Sequence, residues 1–157
     1  MSEKYLKIII AMVVCLTIGF SSSYFTMDGL KEWYPTINKP SFNPPNWIFA
    51  PVWTTLYILM GISAGIVWYK IKINEIAKNF LIVFIIQLAL NFLWSYFFFS
   101  MHNPLIAFID ILLLLACIVY LVYSAKKINQ IAFYLLIPYL LWVSFATILN
   151  ATIVSTT

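Results

Sequence analysis

The sequence predicts an all-α integral membrane protein. It would be a single bundle of five transmembrane helices, with a long Pro/Trp-rich loop between the first two. Three observations carry this. Of the 157 residues, 64% are hydrophobic and 9% charged, at a mean hydropathy of +0.97; a water-soluble domain would leave too much of that apolar surface wet. Five apolar runs reach the roughly 20 residues that a helix needs to cross a bilayer: 8–25, 47–69, 80–99, 104–123 and 131–154. The charges collect between these runs, and the nine basic residues are all lysines.

The first run has two readings. Lys4 and Lys7, an apolar core and then Ser21, Ser22 and Ser23 also fit a signal peptide. Tyr24 and Phe25 continue the apolar character past the serines, which favours a retained span. Lysine placement gives the orientation, because positive residues stay on the cytoplasmic side. Lys4, Lys7, Lys70, Lys72, Lys78, Lys126 and Lys127 would lie inside, and only Lys31 and Lys39 outside, offset by Asp28 and Glu32. The N-terminus is therefore expected inside and the C-terminus outside.

The first connection, 26–46, is the unusual one. Residues 33–53 hold five prolines and three tryptophans. Proline fixes φ and favours extended segments, so the stretch reads as a stiff lid, with Asn46 as a candidate N-cap for the second helix. Trp33 and Trp47 read equally well as interfacial-belt residues.

Polar groups inside spans are costly and therefore informative. Gln87, Asn91 and Trp94 share one face of the third helix, with Ser95 beside them, and Trp142, Ala146, Leu149 and Asn150 share one face of the fifth. Asp110 is the acid within a span. Counting 1.5 Å per residue from the outer ends, Trp53, Trp94 and Asp110 lie about 8–9 Å deep and Asn91 about 12 Å, with Trp142 slightly deeper. All fall in the outer half, beneath the Pro/Trp connection, which points to a pocket between helices. Each also has a packing reading: the tryptophans as helix contacts, Gln87 and Asn91 as interhelical glue, Asp110 as a satisfied structural carboxylate.

Other chemistry is thinly represented. Cys15 and Cys117 lie in apolar runs and read as packed thiols. His102 sits in a short turn, "MHNP". No metal-ligand cluster, nucleophile–base pair or phosphate loop is present, so neither a cofactor nor hydrolytic catalysis is expected. Nothing has the form of a nucleic-acid patch. Gly61 and Gly65 form a GxxxG pair, which serves either a homodimer or packing within the chain.

Three stretches, "WYPTINKPSFNPPNWIFAPVWTTLYILMG" at 33–61, "QLALNFLWSYFFF" at 87–99 and "PYLLWVSFATILN" at 138–150, closely resemble the TspO/MBR family of bacterial tryptophan-rich sensory proteins and mitochondrial translocator proteins. The resemblance covers nearly the whole chain and implies residence in a bacterial cytoplasmic membrane. It implies a five-helix bundle that binds porphyrins, such as protoporphyrin IX, and isoquinoline carboxamide or benzodiazepine-type ligands under the first loop. It also implies light-dependent porphyrin degradation, with Trp53 and Trp142 as the candidate catalytic residues. From the resemblance and the depth argument together, the candidate ligand-binding set is Tyr34, Pro44, Ile48, Phe49, Ala50, Trp53, Asn91, Trp94, Asp110, Trp142, Ala146 and Leu149. Lys31 and Lys39 are candidates for meeting porphyrin carboxylates. The C-terminal sterol motif of mammalian members is missing, since no tyrosine follows Tyr139 and no lysine follows Lys127. The expected partners are a porphyrin or other hydrophobic small molecule and membrane lipid. A carrier or sensor of tetrapyrroles or lipids, without turnover, is the alternative.

Overall fold

A computed structural model describes residues 2–156. Five α-helices follow in chain order: α1 (Glu3–Glu32), α2 (Phe49–Tyr69), α3 (Glu75–Ser95), α4 (Pro104–Ile128) and α5 (Gln130–Thr156). Among the described residues all five are long and apolar enough to cross a membrane, and the chain is read accordingly as a five-span bundle. Helices suit that medium because they satisfy their backbone groups internally.

Four of the helices are longer than their apolar runs, and α2 starts two residues inside its own. The largest difference is α1, which continues through residues 26–32, the segment expected to begin the loop. Asp28, Lys31 and Glu32 end the hydropathy signal there without ending the helix, because charged residues at a helix end reach water while the backbone stays hydrogen-bonded. The connection proper is therefore residues 33–48. It holds two single 3₁₀ turns, Tyr34–Thr36 and Asn46–Ile48. Asn46 is not the expected cap: it lies within the second turn, and no side chain caps that turn or α2. Asn74 and Asn103 do act as caps, accepting from Ile76 N at 2.9 Å and from Ile106 N at 3.1 Å.

The α1–α2 pair packs most closely, and glycine is the reason. A Cβ at Gly61 would stand 2.6 Å from Met12 Cα, and one at Gly65 would meet Ile8 Cα. The GxxxG pair is thus occupied by α1 of the same chain. At the other end of α1, a Cβ on Gly29 would strike the Phe99 carbonyl oxygen. Phe99 belongs to a π-helical turn, Tyr96–Ser100, that finishes α3. After it the chain reverses at His102, whose φ of 54° is left-handed, and Pro104 opens α4. The lysines at Lys4, Lys7, Lys70, Lys72, Lys78, Lys126 and Lys127 all gather at the end of the bundle opposite the Pro/Trp connection.

A layer of hydrogen bonds crosses the middle of the bundle. Tyr57 Oη on α2 donates to Asn91 Oδ1 at 2.6 Å, Asn91 Nδ2 donates to Tyr139 Oη at 2.7 Å, and Tyr139 Oη donates to Gln87 Oε1 at 2.6 Å. All four side chains are buried. Pro138 lies inside α5 and cannot donate to the Tyr134 carbonyl one turn earlier.

Candidate ligand cavity

Above that layer, at the end that carries the Pro/Trp connection, the helices enclose a cavity of about 360 Å³. This is within the range of small-molecule sites. Its walls come from α1, the connection, α2, the end of α3 with its π turn, and α5, while α4 contributes nothing. The α1 wall includes a small and polar stripe at helical spacing, Gly19, Ser22, Ser23 and Thr26, flanked by Leu16, Phe20, Met27 and Leu30.

Of the residues singled out from the sequence, Tyr34, Phe49, Ala50, Trp53, Trp94, Trp142, Ala146 and Leu149 line the cavity. Pro44, Ile48, Asn91 and Asp110 do not. Asn91 lies one layer below, with its amide oxygen and nitrogen both taken by tyrosine hydroxyls. Asp110 is buried on α4, away from the walls, and its Oδ2 has no partner among the described residues. It faces inward, but the helix that carries it borders no part of the cavity. Trp47 is 73% exposed, as a belt residue would be.

Three indoles stand in the wall in different settings. Trp53 lies 5.8 Å from the Tyr57 ring and 6.4 Å from the Tyr139 ring. Trp94 stacks on Phe98 at 5.1 Å, and its Nε1 donates to Asn150 Oδ1 at 3.0 Å. Asn150 Nδ2 in turn donates to the Pro104 carbonyl at 2.9 Å, which ties α3, α4 and α5 together beside the site. Trp142 sits between the rings of Phe49 and Phe145, and its buried Nε1 has no hydrogen-bond partner among the described residues.

The connection roofs the cavity and is fastened. Tyr34, 2% exposed, donates its hydroxyl to Asn43 Oδ1. Lys39 Nζ donates to the carbonyls of Tyr34 at 2.8 Å and Ile37 at 3.2 Å, and lies 4.9 Å from the Tyr34 ring centre. Lys39 is thus engaged in holding the loop together, whereas Lys31 is exposed on the last turn of α1. Trp33 stacks flat on His102 at 4.9 Å, joining the end of α1 to the α3–α4 turn.

The sequence reading missed Tyr57, Phe98, Phe99, Phe145 and the α1 stripe as wall residues. The stripe was visible as Gly19, Ser22, Ser23 and Thr26 at i, i+3, i+4 and i+7. The π turn had no sequence signal.

The fold and the cavity together define a class: a five-span α-helical membrane protein with a tryptophan-walled chamber at one end. The sequence profile of the TspO/MBR family matches residues 11–155, and the chain belongs to that family. It is 42% identical over 157 residues to the tryptophan-rich protein TspO of Chlorobaculum tepidum, covering 98% of this chain and 97% of the relative. It is 42% identical over 149 residues to the protein of the same name from Archaeoglobus fulgidus, covering 92% and 93%. The human translocator protein is 37% identical over 124 residues, 78% of this chain and 73% of the relative.

Proposed function

We propose that the protein binds porphyrins such as protoporphyrin IX, and other flat hydrophobic molecules, in the cavity beneath the first connection, and that it promotes their light-dependent degradation. The observation that carries this reading is the convergence of Trp53, Trp94 and Trp142 on one apolar chamber. Flat aromatic walls favour a flat aromatic guest. The unpartnered Trp142 Nε1 offers a donor to a carbonyl or carboxylate oxygen of the guest. In this reading dioxygen is the oxidant, and Trp53 and Trp142 are the indoles that donate an electron to the light-excited ring or trap the reactive oxygen it generates.

Illumination tests both parts. Purified protein with protoporphyrin IX should lose porphyrin absorbance in light faster than a protein-free control. Trp53→Phe and Trp142→Phe keep an aromatic face but are harder to oxidise. Each should hold porphyrin within about tenfold of the wild-type affinity, roughly 1.4 kcal/mol, while photodegradation slows strongly. An unchanged rate in the double variant would remove the redox role. Binding with a spectral shift and no light-driven loss would favour the second reading, a carrier or sensor without turnover.

A further inference from the structure

The cavity opens at its side. Several residues that line it are also exposed on the lipid-facing surface: Phe20 at 70% and Met27 at 52% on α1, with Ser23 beside them and Ala50 and Thr54 on the facing turns of α2. Exposed wall residues on two facing helices mark where the chamber comes nearest the surface. The opening lies between the loop-side halves of α1 and α2. Its lower edge is where the helices close up: a Cβ on Gly19 would stand 2.6 Å from the Tyr57 ring, and the tight Gly61 and Gly65 contacts follow.

Other approaches are obstructed by side chains, although Asn46 in the connection is an exposed wall residue as well. The roof is held by Tyr34, Asn43 and Lys39. On the far side of α2, toward α5, an apolar surface groove runs along Val52, Thr55 and Leu59, but Trp142 and Phe145 stand between it and the cavity and line both. The rim of the α1–α2 opening suits hydrocarbon. Its hydroxyls are spent on their own helices: Ser23 Oγ donates to the Phe20 carbonyl at 2.7 Å, Thr26 Oγ1 to Ser22 at 3.1 Å, and Thr54 Oγ1 to Ala50 at 2.8 Å.

We infer that this opening is a lateral portal, through which the cavity takes a planar amphiphile already dissolved in the bilayer leaflet on the loop side. The proposal rests on the ligand-binding reading of the cavity. It adds a requirement on the ligand: it partitions into lipid first and enters edge-on between α1 and α2.

The test uses the full chain in phosphatidylcholine nanodiscs, with protoporphyrin IX delivered in the lipid and binding followed in the dark by quenching of tryptophan fluorescence. Ser23→Phe with Thr54→Phe fills the portal, and each single variant serves if the pair disturbs helicity. Asn43→Ala loosens the roof by removing the acceptor of the Tyr34 hydroxyl. A portal predicts that the phenylalanines slow association and dissociation together, on the order of tenfold, and that Asn43→Ala leaves both rates alone. Unchanged rates in the portal variants, or faster rates in Asn43→Ala alone, would overturn it. A second readout is independent of porphyrin. In nanodiscs of dibrominated phosphatidylcholine, acyl chains reaching through the portal quench tryptophan in the wild type, and the filled portal reduces that quenching. Equal quenching overturns the portal even if porphyrin binds, and reduced quenching without porphyrin binding keeps the portal while refuting the porphyrin reading.

Discussion

Tyr57 on α2 and Asn91 on α3 are joined by a 2.6 Å hydrogen bond, and the same tyrosine ring that makes it blocks the space beside Gly19 on α1. One side chain therefore ties three helices together at the floor of the cavity. Interhelical hydrogen bonds in membranes average about 0.6 kcal/mol and reach about 1.7. Tyr57→Phe should lower stability within that range, measured by thermal unfolding in detergent. Asn91→Leu should cost more, because it strips partners from both Tyr57 and Tyr139. A double variant no worse than Asn91→Leu alone would show that the Tyr57 hydroxyl acts only through Asn91.

Gly61 and Gly65 give a second prediction. The nearest atoms to them are backbone atoms of Met12 and Ile8, which cannot turn aside. Gly61→Ala should therefore destabilise the monomer by about 1–3 kcal/mol, as overpacking does. Unfolding temperature and oligomeric state, measured together, decide the matter. A variant with wild-type stability and an altered oligomer would move this seam to the outside of the bundle.

The roof gives a third. Tyr34→Phe removes the hydroxyl that binds Asn43, a loss of about 1 kcal/mol, so local opening should become roughly fivefold more frequent. Amide hydrogen exchange should speed up across residues 35–45 and stay at the wild-type rate in α3 and α4. Exchange that stays slow throughout would show that the prolines alone hold the loop.

Much of this arrangement was legible in the sequence, and the unreadable part has a common cause. Hydropathy reports depth, so the five spans and the layer that holds Trp53, Trp94 and Trp142 could be read. It does not report which helices border a chamber or what an inward-facing side chain will meet. Asp110 shows the consequence, since it lies at cavity depth but on α4, which lines no part of the cavity. Asn91 was correctly placed on an inward face, yet its amide is consumed by Tyr57 and Tyr139, partners that only the packed bundle brings near. Helix ends failed differently: the charges at Asp28, Lys31 and Glu32 mark where lipid ends, whereas α1 runs on to Glu32.

Orientation yields a fourth prediction. With the seven lysines of the crowded end in the cytoplasm, a membrane-impermeant amine reagent applied to intact cells should modify Lys31 and spare Lys126 and Lys127. Lys39 should react slowly, because its ammonium already holds two carbonyls. Modification of Lys126 or Lys127 from outside would place the cavity in the inner leaflet.

The π turn at Tyr96–Ser100 bears on how such a chain changes length over generations. Met101 N reaches back five residues to the Tyr96 carbonyl at 2.9 Å, one more than in an ordinary helical turn, so the segment holds the equivalent of a single inserted residue. Deleting one residue there would let α3 continue as a regular helix with its upstream contacts intact. Everything downstream would be rotated by about 100°, carrying Phe98 and Phe99 off the wall beside Trp94 and pulling the Phe99 carbonyl away from Gly29. A one-codon gain or loss at this place would therefore reshape the chamber while leaving the five spans in being.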